Sequence, residues 1–427
     1  MFTTYQETLD YLYANLPMFQ RIGAAAFKKD LTNTIKLCDA LGNPEKKFKS
    51  IHVAGTNGKG SSSHMLASIL QESKRKTGLY TSPHLKSFTE RIRVNGEEVS
   101  EAFVVDFVNR VQPVVDEIKP SFFEITVAMA FDYFASQQVD VAVIEVGLGG
   151  RLDSTNVITP EVSLITNIGW DHKDLLGDTL EKIAGEKAGI IKPGIPVVIS
   201  ERQDGIDDIF LRIAKEQNAP IYFASDQFEV STIDGKHQIF KDGTVVIRDV
   251  KFPLNGRYQS HNIRGAVNTV EVFRKRGFKI TDAAVKRGLQ NVIRNTHLKG
   301  RWQVLKKRPL MICDTGHNVD GIRYVTQQLK TIPHKRLHIV FGVVKDKAID
   351  DILQLLPREA TYYFCQAKLP RALDASELAK KALDYGLQGK VIADVNEAKK
   401  TALKNASEDD LIFIGGSTFV VAEINEL

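Results

Sequence analysis

The stretch from Phe48 to Ser62, FKSIHVAGTNGKGSS, constrains this chain more than any other. An apolar run ends at Ala54, glycines follow at Gly55, Gly58 and Gly60, and an amphipathic segment begins immediately. The order is strand, glycine-rich turn, helix, which builds a phosphate cradle. Without Cβ atoms in the way, successive backbone N–H groups along Gly55, Thr56, Asn57, Gly58, Lys59, Gly60 and Ser61 converge on an anion. The helix N-terminus adds about half a positive charge and Lys59 a full one. Ser61 offers a hydroxyl to a Mg²⁺ carried by a nucleotide. The pattern is a variant P-loop, because Val53 stands five residues before Gly58 where a glycine is usual, and Gly60 separates Lys59 from Ser61. A plain glycine-rich turn is the competing reading, and the flanking strand and helix patterns speak against it.

A length of 427 residues exceeds one ordinary core and predicts two domains. Hydrophobic content of 43% and charged content of 26% fit a globular chain. The net charge of +5 is spread without a basic block, and no arginine and aromatic interleaving of a single-strand binder is present, so nucleic acid is not expected. Cys38, Cys313 and Cys365 are odd in number and far apart, which excludes a disulfide framework and a clustered zinc site. The N-terminus has acidic residues where a signal peptide is basic, and no apolar run is long enough to span a bilayer. A cytoplasmic protein with no membrane partner is the expectation.

Near-continuous apolar runs predict strands at 50–54, 139–146, 162–168 and 196–200, as in a parallel sheet buried on both faces. Between them, apolar residues at three- and four-residue spacing predict a helix over 101–119. Short alternating runs over 221–252, with turns at Asp234-Gly235 and Asp242-Gly243, predict a small antiparallel addition. A second series follows, with strands near 309–313, 337–343, 361–365, 389–393 and 411–415. The fold class is therefore α/β: a mostly parallel N-terminal domain over 1–296 with that antiparallel addition, and a smaller Rossmann-like domain over 297–427. No internal repeat or low-complexity segment interrupts it. Ligands of such sheets sit beyond the carboxyl ends of strands, where the P-loop and the loops 147–156, 169–174 and 314–318 fall, and a cleft shared by the two domains is the expected nucleotide site.

Taken together, HVAGTNGKGS, TSPHL at 81–85, EVGLGGRLDSTN at 145–156, ITNIGWDH at 165–172, GEKAGIIK at 185–192, GRWQ at 300–303 and DTGHN at 314–318 resemble the folylpolyglutamate synthase family, including its bifunctional dihydrofolate synthase form, within the Mur ligase superfamily. The likeness runs from about residue 20 to the C-terminus. It implies an ATP-dependent ligase that adds L-glutamate to dihydropteroate or to folates through an acyl phosphate, with an ATPase domain in front and a smaller domain behind. A monomer is implied as well.

Residue by residue, the resemblance makes Lys59 the partner of the β and γ phosphates and Ser82, Glu145 and His172 ligands of Mg²⁺, with two ions implied. Lys187 corresponds to a lysine carried as a carbamate, Asn262 to an adenine-proximal asparagine, Arg301 to a phosphate-reaching arginine and Asp314 to an aspartate near the nucleotide. His317 falls near the incoming glutamate, and Ser417 at the glutamate end. Phe122, Phe123 and Glu124, with Leu152, Asp153 and Ser154, match the pterin pocket. The residues alone leave other readings open. His172 suits a loop hydrogen bond, Lys187 an ordinary helix surface, Arg301 a salt bridge, Asn262 and Ser417 helix caps, and the two phenylalanines a core. The segment RIGAAAF at 21–27 departs from the family, which often has a more elaborate glycine-bearing loop there. A Mur-type ligase acting on a nucleotide-sugar peptide and a P-loop ATPase without an acceptor are the alternative functions.

Overall fold

The computed structural model describes residues 1–18, 23, 28 and 30–427, and the RIGAAAF segment lies outside them apart from Gly23. The chain forms two compact units: Met1–Gly169 with Lys173–Pro253 and Ser260–His297, and Trp170–His172 with Leu254–Gln259 and Leu298–Leu427.

The first unit is built on eight strands, β1 Lys49–Ala54, β2 Thr77–Tyr80, β3 Ile92–Val94, β4 Glu97–Glu98, β5 Val141–Glu145, β6 Val162–Ile165, β7 Val197–Ile199 and β8 Ile221–Phe223, in the order β4-β3-β2-β5-β1-β6-β7-β8. Pairing is parallel from β2 to β8 and antiparallel at the β3 and β4 edge. Every residue of β5, β6 and β7 is buried, which is why these strands are apolar throughout and not alternating. β1 lies between β5 and β6, so the loops that leave these three strands are neighbours at one end of the sheet.

The expected amphipathic helix spans Glu101–Ile118, with Ser100 accepting a capping bond from Phe103 N and Val104, Phe107, Val108, Val111 and Val115 buried. It belongs to an apolar cluster with Phe131 and Phe134 of helix Phe122–Ser136. A separate three-stranded antiparallel sheet, β9 Phe228–Ile233, β10 Lys236–Lys241 and β11 Thr244–Val250, forms the expected addition. Both of its hairpins turn on an aspartate and a glycine at positive φ, 50° and 70° at Asp234-Gly235 and 49° and 77° at Asp242-Gly243.

The second unit carries β12 Gln303–Lys307, β13 Leu310–Cys313, β14 Leu337–Phe341, β15 Thr361–Phe364, β16 Gly389–Val391 and β17 Leu411–Gly415, ordered β12-β13-β17-β14-β15-β16. All pairs are parallel except β12 with β13. Ile312, Ile339, Phe341, Tyr362, Phe364 and Phe413 fill one core with the helices packed on the sheet. Here too the middle strand, β17, brings two loop starts together, those after β13 and β14.

Candidate active site

The loop after β1 is fixed by backbone geometry that only glycine tolerates. Gly55 has φ 142°, and a Cβ there would meet Thr166 Oγ1 at 1.8 Å. Gly58 has φ 88° and is the N-cap of helix Lys59–Glu72, where it places no side-chain oxygen on the first turn. The helix start, with its positive end, therefore opens toward the loop. Residues after β6 hold the outer strand of the turn. Thr56 N donates to Asn167 O and Asn57 N to Asn167 Oδ1, both at 2.8 Å, and Thr166 Oγ1 donates to Asn57 O at 2.6 Å. Sequence reading passed over Thr166 and Asn167, although both lie in the ITNIGWDH stretch it singled out.

Two lysines meet at this loop. Lys59 Nζ donates to the carbonyls of Gly55 at 2.9 Å and Thr56 at 3.1 Å, and Lys187 Nζ to Gly55 at 2.9 Å. Lys187, on helix Leu180–Ala188, is only 4% exposed, which rules out the surface-lysine alternative. Asn262 sits on the fourth residue of helix Gln259–Lys275 and so is not its cap. Its Oδ1 fills the space beside Gly58, where a Cβ would lie 2.2 Å away.

Glu145 ends β5 and is buried, and the Ser82 N–H points to its Oε2 at 3.3 Å. A carboxylate and a serine hydroxyl are hard oxygen donors, the kind that Mg²⁺ takes when phosphate oxygens and water complete its shell. His172 belongs to the second unit and has a left-handed backbone, φ 50°, with its N–H bonded to Asp171 Oδ1 at 2.9 Å. Among the described residues no three His, Cys, Asp or Glu side chains gather as a self-sufficient metal cage.

The residues matched to a pterin pocket divide into two kinds. Phe122 is core, 3% exposed and packed edge-on to Phe88 with centroids 5.9 Å apart. Glu124 closes a capping box with Ser121, whose N–H reaches its Oε2 at 2.6 Å. Phe123 is only partly buried; its ring lies 6.3 Å from Tyr80 and against Gly147, where a Cβ would come within 2.4 Å. Asp153 accepts from Leu148 N at 2.8 Å and from Thr155 N at 3.0 Å, and burial raises its carboxyl above the usual range against those bonds. Leu152 precedes it in a turn, and Ser154 opens the buried 3₁₀ turn Ser154–Val157.

In the second unit Asp314, 2% exposed, accepts from Tyr258 OH and Trp302 N at 2.7 Å and from Gly316 N at 2.8 Å. Burial raises this carboxyl too, opposed by those donors and by Arg301. Arg301 donates to the Thr315 hydroxyl and, among the described residues, has no carboxylate within ion-pair distance, although its charge acts on Asp314. His317 Nε2 lies 3.5 Å from Asp171 Oδ2, and Lys347 Nζ lies 2.5 Å from Asp171 Oδ1. Burial works to raise the Asp171 carboxyl, but the His317 bond and the charges of Lys347 and His172 hold it well below the usual range. Sequence reading missed Asp171 and Lys347. Ser417 caps the short helix Thr418–Ala422 by accepting from Phe419 N at 3.1 Å, as its competing reading held.

Comparison with known proteins gives the same picture. Residues 53–270 match the Mur ligase middle domain and residues 300–418 the Mur ligase glutamate ligase domain. The chain is 32% identical to a dihydrofolate synthase/folylpolyglutamate synthase of Bacillus subtilis over 446 residues, covering 100% of this chain and 99% of that one. Its fold matches E. coli FolC, solved in complex with DHPP and ADP, with a TM-score of 0.87 at 28% identity over 98% of this chain and 96% of the other. A bifunctional folylpolyglutamate synthase/dihydrofolate synthase from Yersinia pestis, solved with AMPPNP and a Mn ion, gives 0.85 at 28% identity over 98% and 97%. With both domains matched and the likeness spanning the full length of a known relative, the chain belongs to the dihydrofolate synthase/folylpolyglutamate synthase family of Mur-type ligases.

Proposed function

We propose that this protein is an ATP-dependent ligase that joins L-glutamate to dihydropteroate, to folates already carrying glutamate, or to both. The observation that carries the reading is the convergence at the end of β1: a glycine cradle, the start of helix Lys59–Glu72, and the amines of Lys59 and Lys187 on one carbonyl. A carboxylate is a poor electrophile. Attack of its oxygen on the ATP γ-phosphorus, with ADP leaving, gives an acyl phosphate. The free amine of glutamate then attacks the acyl carbon, phosphate leaves, and the nitrogen loses its proton as the amide forms. Both steps bring anions together, so positioning and charge neutralisation dominate.

In this reading Lys59 and the first-turn N–H groups of its helix hold the phosphates, and Asn262, beside Gly58, faces the nucleotide base. Ser82 and Glu145 would hold Mg²⁺, which when bound would neutralise phosphate charge; for His172 the resemblance alone implies a metal-ligand role. Arg301, Asp314, His317 and Ser417 serve the phosphate and glutamate end, and Phe123 with Leu152 and Ser154 the pterin. The functional boundary falls near residue 297, and the protein works as a cytoplasmic monomer. Lys187 carries a carbamate: a buried amine next to dications is favoured when it loses its positive charge, and addition of CO₂ to the neutral amine turns it into an anion. A ¹³C signal from ¹³CO₂-equilibrated enzyme that is absent in Lys187→Met tests this point.

The activity itself is tested with purified protein, Mg-ATP and glutamate, with and without dihydropteroate or tetrahydrofolate. Phosphate release is expected only when a pterin acceptor is present. Release at the same rate without one removes the ligase reading.

A further inference from the structure

Arg91 ends the 3₁₀ turn Phe88–Arg91 and Arg93 lies two residues on in β3, and both are buried, 3% and 5% exposed. Arg93 has an acid partner, Glu98 at 2.9 Å, and also donates to the Gly96 carbonyl at 3.0 Å. Arg91 has neutral partners instead. Its Nε donates to His84 Nδ1 at 2.8 Å, its guanidinium lies over the Phe122 ring at 5.3 Å, and the Tyr80 hydroxyl is beside it. Burial and the Arg91 charge hold His84 below its usual range, which keeps that imidazole a neutral acceptor. Glu145 acts on Arg91 only through space. A guanidinium shut among aromatic rings, with no carboxylate in ion-pair contact among the described residues, is costly, and desolvation depresses it even though arginine keeps its proton.

Its place in the fold suggests what completes it. The Thr81 N–H donates to the Arg91 carbonyl at 3.0 Å, which fixes Arg91 one residue from Ser82. The Tyr80 ring that flanks it also packs on Phe123. A fixed cation thus sits between the aromatic residues matched to the pterin end and the strand ends that bear Ser82 and Glu145.

We propose that Arg91 recognises the carboxylate of the acceptor, supplying the counter-charge for a flat aromatic or folate-linked acid whose ring system lies along the partly exposed Phe123. A fork of parallel donors suits a carboxylate, and placing it there offsets the repulsion between that acid and the phosphates it must approach. The inference rests on the ligase reading, since only that reaction brings a carboxylate to this end of the sheet.

The test is a cycle of equilibrium binding in the presence of ADP, comparing dihydropteroate with its neutral carboxamide on wild type and on Arg91→Met. Wild type is expected to prefer the acid, and Arg91→Met to lose at least tenfold of that preference while its affinity for ADP stays within twofold. Equal loss for acid and amide, or a loss confined to ADP, overturns the proposal. Should Arg91→Met not fold, Arg91→Lys carries the test through kinetics: the charge remains but the fork and the His84 bond are gone. A severalfold rise in KM for dihydropteroate with KM for ATP unchanged is then expected, and an unaltered acceptor KM overturns it. If wild type binds neither acid nor amide, the cycle is run with tetrahydrofolate and its carboxamide, and binding of neither pair removes the ligase reading first, an outcome distinct from the others.

Discussion

Asn262 lies so close to Gly58 that a Cβ built on the glycine would fall 2.2 Å from the asparagine Oδ1. The two residues are 204 positions apart in the sequence, and yet one dictates what the other can be. Gly58→Ala meets both this clash and a φ of 88°, each unfavourable for an L side chain. The variant is expected to lose about 1–3 kcal/mol of stability. Asn262→Ala removes the clash but not the strained backbone. In a denaturation cycle the double variant should therefore be less destabilised than the sum of the singles by about 0.5–2 kcal/mol. Strict additivity would show that helix Gln259–Lys275 moves aside at no cost.

Lys187 and Lys59 share the Gly55 carbonyl, and the two should answer differently to substitution. Lys187→Met keeps the buried volume and removes the amine, so a folded protein with kcat lower by roughly 10²–10³-fold is expected, the size seen when one preorganised group is lost from a reaction centre. Lys59→Ala should remove turnover while leaving Tm within a few degrees, because that side chain is only partly buried. Phosphate-release kinetics beside a thermal melt check both. Activity within threefold of wild type in either variant would take that lysine out of the mechanism.

The sequence made the fold class legible because burial wrote itself into composition: strands covered on both faces, such as β5, β6 and β14, are apolar at every position or nearly so. Short strands escaped. Thr77–Tyr80 has four residues and includes Gly78, whose missing Cβ leaves room for Phe134 at 2.9 Å, a packing reason invisible in a local pattern. The β3–β4 hairpin was legible in principle, since Asn95-Gly96 adopts φ 51° and 89°, yet its two-residue arm is too brief to alternate. P-loop residues could be read from spacing alone. Asp171 and Arg91 could not, because what distinguishes them is a partner far along the chain, Lys347 in the one case, or the lack of an acid partner in the other.

Glu145→Gln keeps the shape that receives the Ser82 N–H and deletes the charge. If the carboxylate helps hold Mg²⁺, the variant needs at least about tenfold more of it for half-maximal rate, the scale on which metal-site substitutions act. The fold should be indifferent or slightly favoured, since a buried carboxylate is replaced by a neutral amide. Titration of activity with Mg²⁺ at saturating ATP decides the matter. An unchanged Mg²⁺ requirement would assign Glu145 to another task.

At the opposite end of the second sheet Asp410 is fully covered, its side chain 0% exposed, and accepts from Arg336 Nη2 at 2.8 Å, Ser407 N at 2.7 Å and Ser407 Oγ at 2.8 Å. Burial works to raise its carboxyl, but the bonds from Ser407 and Arg336 prevail and hold it below the usual carboxylate range. A depressed folded value means that the unfolded chain binds the proton first. The stability Asp410 contributes is therefore complete above its unfolded value, about 3.9, and is lost as the pH falls through that value toward the folded one. Asp410→Asn should cost about 1–3 kcal/mol at pH 7, since donors placed for an anion meet a weaker acceptor. The gap between variant and wild type should then narrow from pH 4 to pH 2, as wild type surrenders what the variant never had. Urea melts at those two pH values measure it, and a constant gap would mean that Asp410 titrates alike in the folded and unfolded chain.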